Sequence, residues 1–129
     1  KNNLITVFGG SQIRPNIHID DMVNVYNFFL KNKKSGIYNV GFENLSVLNI
    51  AKMIQKKTNC KIKILKSTDP RSYRLSSKKI LKNGFKPKKK VLDAIDELLY
   101  FFNNSKYQSS SKNVNVQHLI KKKIIKKFI

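Results

Sequence analysis

Three arginines, Arg14, Arg71 and Arg74, are set among 24 lysines in a chain of 129 residues. A guanidinium can hold a phosphate or carboxylate through two parallel hydrogen bonds, whereas an ammonium acts as a point charge. Arg14 follows the turn-forming run Gly9-Gly10-Ser11-Gln12. Arg71 and Arg74 lie in Asp69-Pro70-Arg71-Ser72-Tyr73-Arg74, a polar stretch without helical or strand periodicity. Loops held by a scaffold are where binding residues concentrate. Two guanidiniums brought together from separate loops would clamp a diphosphate. The competing reading is that each arginine ties down its own loop by bonding carbonyls or Asp69, and for Arg74 that reading is preferred.

Other reactive groups offer less. His18 and His118 have no metal partner at ligand spacing, and a structural or surface role is expected for both. Asp20-Asp21 could be a carboxylate pair for acid/base work, but adjacent residues at a strand-to-helix corner point apart. Capping and a local hydrogen bond are expected instead. Ser109-Ser110-Ser111 has no nucleophile-elbow context. The single cysteine, Cys60, excludes an intramolecular disulfide and a multi-cysteine zinc site, and is expected to be a reduced thiol. No catalytic, cofactor-binding or metal-binding residue is assigned from these groups.

The formal charge is +20, from 27 Lys+Arg against 7 Asp+Glu. Such a charge suggests a nucleic acid or an acidic membrane as partner. Yet lysine, asparagine and isoleucine together supply 54 residues, the mark of AT-rich coding, so most of the charge is expected to be solvated surface. A 40% apolar fraction allows a modest core. No apolar run approaches the roughly 18–20 residues of a membrane span. The chain opens on Lys1 and is strand-like from Leu4. It is expected to be a piece of a longer protein, without a secretory signal and cytoplasmic.

The elements that must position the arginines follow from periodicity. Leu4–Phe8 is rich in β-branched and aromatic residues and predicts a strand. Asn16–Ile19 predicts a second, with Pro15 putting it at a sheet edge. Asp20 or Asp21 is expected to cap a helix whose stripe is Met22, Val23, Tyr26, Phe29 and Leu30, closed by Lys33-Lys34-Ser35-Gly36. Ile37–Val40 predicts a short strand. Ser46 caps a helix with the stripe Val47, Ile50, Ala51 and Ile54, and Lys61–Leu65 predicts another strand. Residues 67–77 read as irregular and 77–82 as a short helix. Phe85-Lys86-Pro87 reads as extended. A last core helix carries Leu92, Ile95, Leu98, Leu99 and Phe102. Three segments are expected: 1–103, a polar linker over 104–116, and a basic amphipathic tail over 117–129. The order is that of an α/β fold.

Four stretches, in order, carry a resemblance over about residues 4–102. They are Val7-Phe8-Gly9-Gly10-Ser11-Gln12-Ile13-Arg14; Ile17-His18-Ile19-Asp20-Asp21-Met22-Val23; Gly36-Ile37-Tyr38-Asn39-Val40-Gly41 with Ser46-Val47; and Asp69-Pro70-Arg71-Ser72-Tyr73-Arg74 with Lys78-Lys79-Ile80 and Gly84-Phe85-Lys86-Pro87. Together they resemble the C-terminal portion of an extended short-chain dehydrogenase/reductase, the NAD(P)-dependent nucleotide-sugar epimerases and dehydratases.

The resemblance implies the substrate-binding lobe of a Rossmann-type enzyme whose cofactor half is absent here. It implies that Thr6, Val7 and Phe8 lie along the nucleotide base and ribose, and that Arg14 and Arg71 grip the diphosphate from opposite sides. The implied reaction is transient sugar oxidation by NAD or NADP with a tyrosine as base. The family's GxxGxxG and Tyr-x-x-x-Lys are absent from this chain, so both are expected upstream, and the chain alone is expected to be inactive. Its implied partners are a nucleotide-diphospho-sugar and the missing N-terminal half, in an enzyme expected to be a homodimer. The alternative is a basic module that binds nucleic acid or an anionic membrane through the tail. Scarce arginine and the lack of aromatics interleaved with lysine count against it.

Overall fold

The structure, a computed structural model, describes residues 3–104. The linker and tail expected after residue 104 lie outside the described residues. The chain divides into two compact units, Lys1–Leu98 and Leu99–Ile129. The elements are β1 (Leu4–Phe8), β2 (Ile13–Asn16), α1 (Ile19–Asn32), β3 (Glu43–Ser46), α2 (Val47–Thr58), β4 (Lys61–Leu65), α3 (Lys78–Lys82) and α4 (Val91–Asn104).

The fold is mixed α/β, built on two small sheets. β1 and β4 pair in parallel, Leu4 opposite Lys61 through Phe8 opposite Leu65. Direct partners share a face. Ile5 and Val7 therefore face one way with Ile62 and Ile64, and Leu4, Thr6 and Phe8 face the other with Lys61, Lys63 and Leu65. β2 and β3 pair antiparallel, Ile13 opposite Ser46 and Asn16 opposite Glu43. Pro15 is tolerated because each strand of a two-stranded sheet is an edge.

The main apolar cluster joins Val25 of α1, Ile80 of α3 and Phe85, with Phe28, Phe29, Tyr38, Val40 and Phe42 packed against it. Phe85 stacks on Phe42 at 5.4 Å and meets Phe28 edge-on at 5.6 Å. Val7, Ala51 and Cys60 are buried too. Among the described residues no helix is long and apolar enough to cross a membrane.

Several expectations are corrected. The second strand is Ile13–Asn16 rather than Asn16–Ile19, because the Asn16 carbonyl already takes the Phe42 N–H that closes the pairing with β3. His18, expected in that strand, is instead the N-cap of α1, where its Nδ1 accepts the Asp20 N–H. Asp21, expected as a local cap, is wholly buried. Its carboxylate accepts the N–H groups of Lys88 at 3.0 Å and Lys89 at 2.9 Å, and so ties α1 to the approach to α4. α1 closes on Lys33 in the left-handed conformation, φ 47°, three residues before Gly36. Its inward face is Val25, Phe28 and Phe29, while Val23, Tyr26 and Leu30 of the expected stripe are exposed. In α4 Ile95 is buried, but Leu92 and Leu98 are exposed.

Ile37–Val40 has no regular structure and no strand partner among the described residues. The third strand is Glu43–Ser46 instead. Ser46 does cap α2, its Oγ accepting the Asn49 N–H at 3.2 Å. β1, β4, the irregular 67–77 stretch and the short helix after Ser77 fall where periodicity places them.

Candidate functional site

The site is assembled where the glycine turn after β1 meets the irregular loop after β4. Gly9 and Gly10 both have positive φ, 76° and 103°. A side chain on Gly10 would press on Leu48 at 3.1 Å and Val7 at 3.2 Å. Gln12 closes this turn by accepting the Gly10 N–H and donating to the Phe8 carbonyl. The turn thus leads the chain into β2, which carries Arg14.

The loop from Ser67 to Ser77 has no regular structure, but it is pinned along its length. Ser72 Oγ accepts the Ile13 N–H, and the Tyr73 N–H donates to the Ile13 carbonyl. Asn44 of β3 bonds both the N–H and the carbonyl of Leu75. Ser77 Oγ exchanges hydrogen bonds with the Gly41 backbone at 2.9 and 3.0 Å. Side chains of β3 and the loop do here what a strand ladder does elsewhere.

This pinning brings Arg14 and Arg71, 57 residues apart in sequence, onto one carboxylate. Asp69 takes Arg71 Nε at 2.7 Å and Arg71 Nη2 at 2.9 Å as a two-point pair, and Arg14 Nη2 at 3.2 Å. The Arg71 N–H also donates to it. Arg14 Nη1 donates to the carbonyls of Ile13 and Arg71, and its guanidinium lies over the Tyr73 ring at 5.3 Å. Hydrogen bonds from the Arg71 side chain, then from its N–H, hold the Asp69 carboxyl far below the usual carboxylate range. The same pair pushes Arg71 up. Two guanidiniums around one carboxylate leave a local charge of +1. The Arg71 side chain is 76% exposed and that of Arg14 25%, so Arg71 has the more open fork and Arg14 the more fixed one.

Both readings of the arginines therefore meet in one arrangement: they are brought together, and they do tie down a loop. Arg74 stands apart, lining an open cleft of about 510 Å³ with Asn44, Lys78, Leu81 and Pro87. Thr6 and Phe8 lie on the open face of the β1–β4 pair, and Phe8 is 58% exposed. Val7 points the other way and is buried. Its side chain supports the Gly10 turn and offers no surface to a ligand.

Two contacts were missed in the sequence. One is the Asp69 bridge, which was read only as a competitor to binding. The other is the group His18, Asp20 and Glu97, whose ligand atoms lie within 4.8 Å of one another. His18 Nδ1 accepts the Asp20 N–H, which puts the ring proton on Nε2, 3.1 Å from Glu97 Oε2. Both ring nitrogens are thereby engaged, and the imidazole has no lone pair to give a metal. Glu97 is also held by Lys89 Nζ at 2.6 Å, which lowers its pKa and raises that of Lys89. The group joins α1 to α4.

No protein-family profile matches the chain. A curated relative, the ADP-L-glycero-D-manno-heptose-6-epimerase of Brachyspira hyodysenteriae, is 48% identical over 54 residues, 39% of this chain and 17% of that protein. Among solved structures, RMD from Pseudomonas aeruginosa complexed with NADPH superposes with a TM-score of 0.60 at 15% identity, over 74% of this chain and 33% of the other. The dTDP-4-dehydrorhamnose reductase of Bacillus anthracis in complex with NADP gives 0.56 at 19% identity, over 81% of this chain and 39% of the other. The chain shares part of its fold with these two solved structures. The match spans 33% and 39% of the length of those two solved chains. β1 runs into the glycine turn, which leads to Arg14 and its contact with Asp69, the partner of Arg71.

Proposed function

We propose that the chain is the substrate-holding part of an NAD(P)-dependent nucleotide-diphospho-sugar epimerase or dehydratase. The observation that carries this reading is the convergence of Arg14 and Arg71 on Asp69 beside the open end of β1. The bridging carboxylate keeps both guanidiniums aligned before a ligand arrives, which lowers the ordering cost of binding. The remaining charge of +1 attracts a diphosphate. Phosphate oxygens then take the outward edge of Arg71 and compete with Asp69 for Arg14. Phe8 and Thr6, on the open strand face, offer an apolar and a hydroxyl contact to a base and ribose. This chain's share in the reaction is orientation, which holds the sugar at a fixed reach from the reacting centre.

The residues in hand do not fit a dinucleotide. GxxGxxG and Tyr-x-x-x-Lys are both absent from the sequence, so NAD or NADP is assigned to the remainder of the fold and no step is derived through it here. A cytoplasmic location and a homodimeric intact enzyme belong to the same proposal. The test is calorimetric titration of the full-length protein with a panel of ADP-, UDP-, GDP- and dTDP-hexoses. Binding of at least one, weakened by Arg14→Ala, supports the assignment. Equal affinity with and without Arg14 refutes it.

A further inference from the structure

The three arginines divide by what holds them. Arg14 and Arg71 are both bonded to Asp69. Arg74, expected from the sequence to tie down its own loop, does not do so. Its exposed side chain makes no hydrogen bond or ion pair among the described residues, and neither does that of Lys78. The loop is held at this point by other groups. Asn44 bonds the N–H and the carbonyl of Leu75, and Ser77 Oγ bonds the Gly41 backbone. Arg74 precedes the first pinned residue and Lys78 follows the second, so both start from a fixed backbone. A solvated surface cation needs only lysine, of which the chain has 24. A guanidinium adds a planar two-point fork.

Both side chains line the open cleft of about 510 Å³. Small-molecule sites occupy roughly 300–1,000 Å³ and set a few polar groups against apolar walls. Here Leu81 and Pro87 supply apolar wall. No acidic residue lines the cleft. Glu43, between the lining residues Phe42 and Asn44, turns its carboxylate to the Val91 N–H instead. The cleft therefore holds two uncompensated cations. It is also separate from the diphosphate clasp. Tyr73 lies against Arg14, whereas the lining of the Arg74 cleft includes none of Arg14, Asp69 and Arg71.

We propose that this cleft is a second anion site, which takes the terminal phosphate of a small phosphomonoester. The Arg74 fork and the Lys78 ammonium hold the phosphate oxygens, and Leu81 and Pro87 receive the ester group. A phosphomonoester carries about −1.5 to −2 charges at pH 7, which the two cations match. The pinned backbone on which both stand lowers the ordering cost of binding. The site does not depend on the diphosphate reading of Arg14 and Arg71.

The test titrates the full-length protein with phenyl phosphate, followed by calorimetry and by amide chemical shifts. Saturable binding that moves the Leu75, Ser76 and Lys78 amides is expected. Arg74→Ala is expected to weaken it about 10- to 100-fold, and Lys78→Ala in the same direction. Arg14→Ala leaves phenyl phosphate binding unchanged, and Arg74→Ala leaves nucleotide-sugar affinity unchanged, so the two sites are told apart. Benzoate presents the same ring with a planar head of single charge, and is expected to bind at least about 10-fold more weakly. Equal binding of benzoate overturns the phosphate assignment. Absence of saturable binding, shifts confined to the surroundings of Arg14 and Arg71, or an affinity that Arg74→Ala does not change overturns the site. Loss of nucleotide-sugar binding in Arg74→Ala would make the cleft part of the substrate site and overturn its independence. Thermal melts complete the test: the exposed, unbonded Arg74 is expected to be removed without a change in melting temperature. A destabilised Arg74→Ala would reveal a structural role and equally overturn the proposal.

Discussion

Asp21→Asn separates a buried anchor from a surface cap. Asp21 is 0% exposed, and both its oxygens take backbone N–H groups, those of Lys88 and Lys89, at 2.9–3.0 Å. Hydrogen bonds to a charged acceptor contribute about 1.5–3 kcal/mol each. The amide keeps one acceptor oxygen and turns an NH₂ group toward the other N–H, leaving a buried donor facing a donor. The expected loss is about 2–4 kcal/mol. For a unit near 100 residues that lowers the melting temperature by roughly 10–30 °C. Asp20→Asn is the internal control. The Asp20 side chain is 59% exposed and acts at the helix end and on His18, so its loss is expected within about 1 kcal/mol. Urea titration of both variants followed by circular dichroism at 222 nm measures the difference. Equal midpoints for the two would refute the anchor and restore the local-cap reading.

Four further outcomes follow from the geometry. Ser46→Ala removes the Oγ that caps α2 and is expected to cost about 1 kcal/mol by the same titration. Gly10→Ala places a Cβ at φ 103° against Leu48 and Val7; a loss of about 1–3 kcal/mol is expected, with weaker nucleotide-sugar binding because the turn sets Arg14. Asp69→Asn frees the Ser67–Ser77 loop, and faster amide exchange at Ser72 and Tyr73 is expected, with α2 unchanged. The pH dependence of that loop has a definite sign. The Asp69 carboxyl is lowered in the folded chain, so its stabilising effect is complete above the unfolded carboxylate value near pH 4. That effect is lost only as pH falls well below it. Tyr73 amide shifts that stay constant from pH 7 to 4 check this, and a transition centred at pH 4 or above would contradict the bridge.

How much of this was legible in the sequence differs from element to element. β1, β4 and α2 were readable because local signals and burial agree there: alternation or a helical stripe, bounded by glycine or by the Ser46 cap. α1 was placed, but its face was not. With Val25, Phe28 and Phe29 on one side and Ile19, Val23, Tyr26 and Leu30 on the other, periodicity offers two stripes and no rule for choosing between them. Ile37–Val40 has the composition of a strand, but a strand exists only with a partner, and none of the described residues supplies one. β3 was missed because Glu43-Asn44-Leu45-Ser46 has low strand propensity and is held by its partner β2. The reach of Asp21 to Lys88 and of His18 to Glu97 spans 67 and 79 residues, and no local pattern encodes such contacts. The meeting of Arg14 and Arg71 was foreseen from two arginines on separate loops and through the family resemblance. Asp69 between them was foreseen only as the alternative to it.

The central claim is that Arg14 and Arg71 hold a diphosphate together. It is tested most directly by titrating the full-length protein, its Arg14→Ala and Arg71→Ala variants and the double variant with the tightest nucleotide-sugar of the panel. Arg14→Ala is expected to weaken binding about 10- to 100-fold. Arg71→Ala is expected to weaken it in the same direction, and the double variant by less than the product of the two, because both act on one diphosphate. Affinity unchanged in both single variants would contradict the account and leave the Arg14–Asp69–Arg71 cluster as a clasp for its own loop.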